Sequence, residues 1–130
     1  MSEVENKKII EQFFTAINDK KFTEAFEFFS EDLEWWILGT TNASGNHNRK
    51  SISLGFKLLF RAFKEFKFLL HEFTAEGEKV SLIAESKAIH NSGKNYNNHY
   101  HFLFWIKDGK IFRTKEFFDT EHARWIESPN

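Results

Sequence analysis

Apolar residues recur at helical spacing through the first half of the chain and at nearly every second position through the second half. Ile10, Phe13, Phe14 and Ile17 share one side of a helix that the spacing places at about Glu3 to Asn18. Ser2, with Glu5 three residues on, has the form of a capping box at its start. A polar break, Asn18 to Lys21, precedes Phe22, Ala25, Phe26 and Phe29, which predict a short second helix ending near Ser30. Ile52, Phe56, Leu59, Phe60 and Phe63 mark a third, with Ser51 as its cap. Leu54 and Leu58 widen that stripe and predict burial on more than one side.

After Lys64 the period falls to two. Glu76-Gly77, Ser92-Gly93 and Asp108-Gly109 stand between β-rich runs and are hairpin signals. The strands fall at about Phe66–Ala75, Val80–His90, Tyr96–Lys107 and Ile111–Phe118, with Leu33–Leu38 a separate short strand and Gly39 to Lys50 a polar loop. Asp119 reads as the cap of a tail helix beginning at Thr120. Helices first and a long-stranded antiparallel sheet second give an α+β domain with helices on one face.

Alternation then sorts the side chains. Tyr96, Asn98, Tyr100, Phe102 and Phe104 share one face of the third long strand, and Asn97, His99, His101, Leu103 and Trp105 share the other. Apolar bulk on both faces implies that the second is covered too, and a homodimer through His99, His101, Leu103 and Trp105 is the economical explanation. On the last strand Phe112, Thr114, Glu116 and Phe118 oppose Ile111, Arg113, Lys115 and Phe117, which leaves Glu116 among aromatic rings. Burial there disfavours the ionised form and raises its pKa, the direction a general acid or proton shuttle needs. The alternative is a glutamate that accepts a hydrogen bond from Tyr100 or a Trp indole and closes the sheet. Asn98 shares the face of Tyr100, where an amide would orient a carbonyl or hydroxyl or pair with strand backbone.

The chain has 130 residues, enough for the single domain 1–130. Its 18 basic against 19 acidic residues give a net charge of −1, with no excess to hold a phosphate backbone, so nucleic acid is not an expected partner. The absence of cysteine excludes disulfides, a thiolate nucleophile and Cys-based metal sites. The charged N-terminal stretch has no apolar signal core, and no apolar run reaches spanning length, so the expectation is a cytoplasmic protein without a membrane partner. Lys7 and Lys8 flank the stripe of the first helix, but its polar face is mixed in sign, which points to core packing. His99 and His101 have the spacing of a metal pair, yet only His90 offers itself as a third ligand, and no metal is expected. His47, in the polar loop, is a candidate acid or base near neutral pH or a solvated side chain. Seventeen phenylalanines bring aromatic residues to 18% of the chain and suit an apolar cavity.

Several strings, in their order, resemble the SnoaL-like and ketosteroid-isomerase-like branch of the nuclear transport factor 2-like superfamily. They are Ala16-Ile17-Asn18, Ser30-Glu31-Asp32-Leu33-Glu34-Trp35, Gly93-Lys94-Asn95-Tyr96-Asn97, Asp108-Gly109-Lys110-Ile111 and Glu116-Phe117-Phe118-Asp119-Thr120. The last is similar to the family's E-[YF]-x-D-T signature. The resemblance implies a cone, a curved antiparallel sheet wrapping three N-terminal helices in a cystatin-like α+β roll, whose open end is an apolar pocket for a small molecule. It implies frequent homodimers through the outer sheet face, and functions from isomerase and polyketide cyclase to hydrolase and non-catalytic binding domain; acid/base chemistry on the glutamate needs no redox cofactor, and none is expected. Where ketosteroid isomerases carry a tyrosine on helix one, an aspartate base and a protonated aspartate, this chain has Phe13, the Trp35-Trp36-Ile37 stretch and Tyr100. Alignment with epoxide hydrolases offers Glu85 and Glu116 as a carboxylate pair, with Ile83 in place of the bridging arginine. Candidate catalytic residues are therefore Glu116 as acid or base, Tyr100 as donor, and Glu85 or His47 assisting. Phe13, Trp35, Phe60, Asn98, Phe102 and Phe118 are expected to line the pocket.

Overall fold

The computed structural model describes residues 2–129; the two end residues of the expected domain lie outside them. Helix α1 spans Glu3–Asn18, and the Ser2 hydroxyl accepts from the Glu5 amide at 3.1 Å as the capping box requires. Its buried face carries Ile9, Ile10, Phe13, Phe14 and Ile17. Helix α2, Phe22–Phe26, is shorter than its apolar spacing predicts, because Phe29 leaves the helix to open β1. Strand β1 runs Phe29–Ile37, and β2, Gly45–His47, folds back on it within the expected polar loop. Helix α3 is Arg49–Arg61, capped by Asn48, whose side-chain Oδ1 accepts from the Ser51 amide at 2.9 Å, so Ser51 is inside the helix and not its cap. Phe63 begins β3, Phe63–Glu76, which pairs with β4, Lys79–His90. A two-residue β5, Asn95–Tyr96, is separated by a break from β6, His99–Lys107, where the sequence reads one continuous strand. Strand β7, Lys110–Phe118, and helix α4, Thr120–Glu127, complete the chain.

The strands form one sheet in the order β2-β1-β7-β6-β4-β3, with β5 pairing β4. It is antiparallel except at β1 and β7, which run parallel. Register shifts in β1, in β3 after Leu70 and between Trp105 and Ile106 let the strands bend around α1 and α3. The shift near Ile106 also turns Ile111 into the core, against the simple alternation read for the last strand. Asp108 and Gly109 both adopt positive φ, 51° and 75°, the backbone a tight two-residue hairpin needs. Asp119 caps α4 by accepting from the His122 amide at 3.1 Å.

Helix α3 departs furthest from expectation. Ile52, Phe56 and Phe60 are buried, but Leu54 and Leu58 remain 55% and 49% exposed. The helix lies on one side of the concave layer with nothing among the described residues over its back, so only one stripe is covered.

Candidate functional site

Glu116 points into the concave face because its strand is held on both sides in register. It stands opposite Ile37 of β1 and Phe102 of β6. Two residues earlier on the same face, Thr114 stands opposite Trp35 and Phe104. That placement brings the Trp35 indole Nε1 within 2.9 Å of Glu116 Oε1, to which it donates. Among the described residues Oε2 makes no hydrogen bond. Glu116 is partly buried, and this desolvation pushes the pKa up to about 7 against the opposing pull of the indole hydrogen bond. An indole cannot ionise, so Trp35 orients the carboxyl without fixing its charge. The arrangement supplies a carboxyl near half-protonation at neutral pH, with one oxygen held and the other available for proton transfer.

Tyr100 lies on the same face, but its hydroxyl donates to Ser86 Oγ at 3.1 Å. Burial pushes its pKa well above that of a free phenol, so it stays protonated and committed to Ser86. Ser86 also accepts from the Asn98 amide nitrogen at 3.0 Å. Asn98, expected in the pocket, is 1% exposed and spends its side chain on structure. Its Nδ2 donates to the Tyr96 hydroxyl and the Asp119 carbonyl, and its Oδ1 accepts from the His99 and Asp119 amides. Ser86 was not singled out from the sequence, although alternation along β4 from Val80 would have placed it on the concave face.

Two proposed assistants lie elsewhere. Glu85 is on the outer face, opposite His99 and Leu69, and cannot share a site with Glu116. It accepts from Asn97 Nδ2 at 2.7 Å and pairs with His71 Nε2 at 2.8 Å, bonds that hold its pKa below the usual carboxylate range. Strand parity decides this: Ala84 and Ser86 face inward, so the residue between them faces out. His47 stands opposite Trp35 in β2, with Nε2 on the Ala43 carbonyl and Nδ1 on the Ser51 hydroxyl, each at 2.6 Å. Both ring nitrogens are engaged in pinning the loop to α3.

The expected pocket residues do converge, but they fill the chamber they enclose. Phe13, Trp35 and Phe102 are at most 1% exposed and Phe60 is 5% exposed. Trp35 meets Phe13, Phe29, Phe56, Phe102 and Phe104 at centroid distances of 5.6–6.3 Å. Phe118 is half-buried, two residues beyond Glu116 on the same face. Clefts of about 420, 530 and 770 Å³ lie at the surface, beside Lys50, Asn6 and Asp32, and none includes Glu116 or Trp35.

A curved seven-stranded sheet wrapped around helices defines a class of α+β domains. The chain belongs to the SnoaL-like domain family, whose model matches residues 10–114. No curated protein matches it in sequence. Among solved structures it is similar to a nuclear transport factor 2-like protein of Burkholderia xenovorans, with 21% identity, TM-score 0.82, and 98% of this chain and 99% of that one covered. It is also similar to TerC, crystallised with polyporic acid, at 19% identity and TM-score 0.84 over 95% and 99% of the two chains. IdmH of Streptomyces antibioticus, to which a polyketide-cyclase role is ascribed, matches at 13% identity and TM-score 0.82 over 93% and 96%. At these identities the likeness establishes the fold.

Proposed function

We propose that this protein binds a small apolar molecule against the Glu116–Trp35 pair and moves a proton on it, as a cofactor-independent isomerase, cyclase or hydratase. The observation that carries this reading is a carboxyl with a pKa near neutrality, facing inward from an aromatic wall and held by one indole. In an isomerisation or aldol-type cyclisation, ionised Glu116 takes a proton from carbon beside a carbonyl and returns it to another atom, ending as it began. Phe118 is the ring a ligand would displace on its way to Oε2. Relatives in fold crystallised with polyporic acid or described as polyketide cyclases agree with an apolar, oxygenated substrate.

The filled interior favours a second reading, a non-catalytic binding or dimeric interaction domain, in which the Trp35–Glu116 bond only closes the sheet. One experiment separates the two. Ligand binding is measured against pH in the native chain and in Glu116→Gln, whose amide oxygen still accepts from Trp35, and both are screened on steroid-like ketones and epoxides. Catalysis by Glu116 predicts turnover with an inflection near pH 7 that the variant loses. Turnover in neither protein, with binding indifferent to the substitution, supports the binding domain.

A further inference from the structure

Among the described residues, α3 is the one helix that leaves two large apolar side chains exposed. Leu54 and Leu58 are one turn apart, and the exposed Lys50, Lys57 and Arg61 stand around them on the same side of the helix. The segment Arg49–Arg61 contains no acidic residue, although the whole chain carries a net charge of −1. Arg49 is accounted for by its bond to the Phe26 carbonyl at 3.0 Å. Lys50 sits in the first turn, where the helix dipole opposes a cation and the helix itself supplies no acid to offset it.

The surface continues past the end of the helix. Asn91 donates from its backbone to the Ala62 carbonyl at 3.0 Å and from its side chain to the Arg61 carbonyl at 2.9 Å. Three residues on, Lys94 Nζ bonds the Trp125 carbonyl at 3.1 Å and lies 4.9 Å from the centre of the Trp125 ring. The turn thus ties the last residues of α3 to α4, where Trp125 is 45% exposed and Arg124 is exposed beside it. Three of the large exposed apolar side chains among the described residues, Leu54, Leu58 and Trp125, belong to these two helices. The acids bordering the surface are Glu31, in the cleft beside Lys50, and Glu121 and Glu127 on α4.

We propose that α3 together with Trp125 docks reversibly on an anionic lipid surface. A convex basic helix with a short leucine ridge and a tryptophan beside a lysine suits a headgroup layer, where each cation adds to a few apolar contacts. A folded protein partner fits less well, since a stable interface covers about 800 Å² on each side and this ridge offers two leucines and one indole. Strand β7 leads directly from Glu116 into α4, so docking through Trp125 would hold the membrane within one strand–helix connection of the carboxyl. The inference does not depend on the proton chemistry of Glu116.

The test is sedimentation of the full chain with vesicles of phosphatidylcholine alone and of phosphatidylcholine mixed with phosphatidylglycerol, at low and high salt. Binding is expected only with the anionic lipid and is expected to weaken with salt. Leu54→Ser with Leu58→Ser should lower the partition coefficient about tenfold while leaving the melting temperature unchanged. Val4→Ser, at another exposed apolar residue, should leave partition unaltered. Brominated lipid should quench fluorescence in the native chain and not in Trp125→Phe. Failure to bind anionic vesicles at low salt, binding unaffected by the leucine pair, or selective capture of an acidic amphipathic peptide in place of vesicles would each overturn the proposal.

Discussion

At the scale of single residues, Glu116 couples the site to stability. Its pKa in the fold, about 7, exceeds the ordinary 4.5, so the folded chain binds this proton more tightly than the unfolded one. The contribution is fully present below about pH 4.5 and is lost as pH rises through 7, with a magnitude on the order of 3 kcal/mol. Glu116→Gln should therefore be more stable than the native chain at about pH 8 and nearly equal to it at about pH 4, as read by urea denaturation at both. Thr114 is the second polar group in this row. Its hydroxyl is fully buried and lacks a hydrogen-bond partner among the described residues. Thr114→Val keeps the shape and removes the orphan, so a gain of about 1 kcal/mol is expected in the same assay.

Among the elements, the break between β5 and β6 matters most for the site. Alternation describes Tyr96, Asn98 and Tyr100 correctly as one face, but it carries no sign that Asn97 and Asn98 fall between two strands. Asn98 still accepts from the Ser86 backbone amide at 2.9 Å and adds four side-chain hydrogen bonds, two of which, to Asp119, tie this stretch to the cap of α4. Asn98→Ala should cost about 2–4 kcal/mol, measured as a lowered denaturation midpoint, because it strips partners from buried backbone groups. The second helix ended early for a similar reason. Phe29 has helical spacing, yet its parallel pairing with Ile111 binds it to the sheet, and a distant strand outweighs a local period.

At the scale of the whole molecule, the outer sheet face bears on assembly. His101, Leu103 and Trp105 are half-buried there, with the Arg113 guanidinium 4.5 Å from the Trp105 ring and Lys115 Nζ 5.6 Å from that of Trp36. Our proposal of a homodimer through this face predicts a dimer in sedimentation velocity and a monomer for Leu103→Asp with Trp105→Glu; a native monomer at high concentration would refute it. Much of this architecture was legible beforehand. Periodicity determined that α1, α3 and the long strands exist and which side of each strand is apolar, because a side chain's direction follows from backbone repeat alone. Glu116 was legible as an inward carboxyl for the same reason. What the tertiary structure decided was partnership: that Trp35 meets Glu116 through a parallel strand pair, that Glu85 lies across the sheet from it, that Asn98 serves the backbone, and that Leu54 and Leu58 have no cover. Those outcomes depend on register and on contacts between segments far apart in the chain, and no local period encodes them.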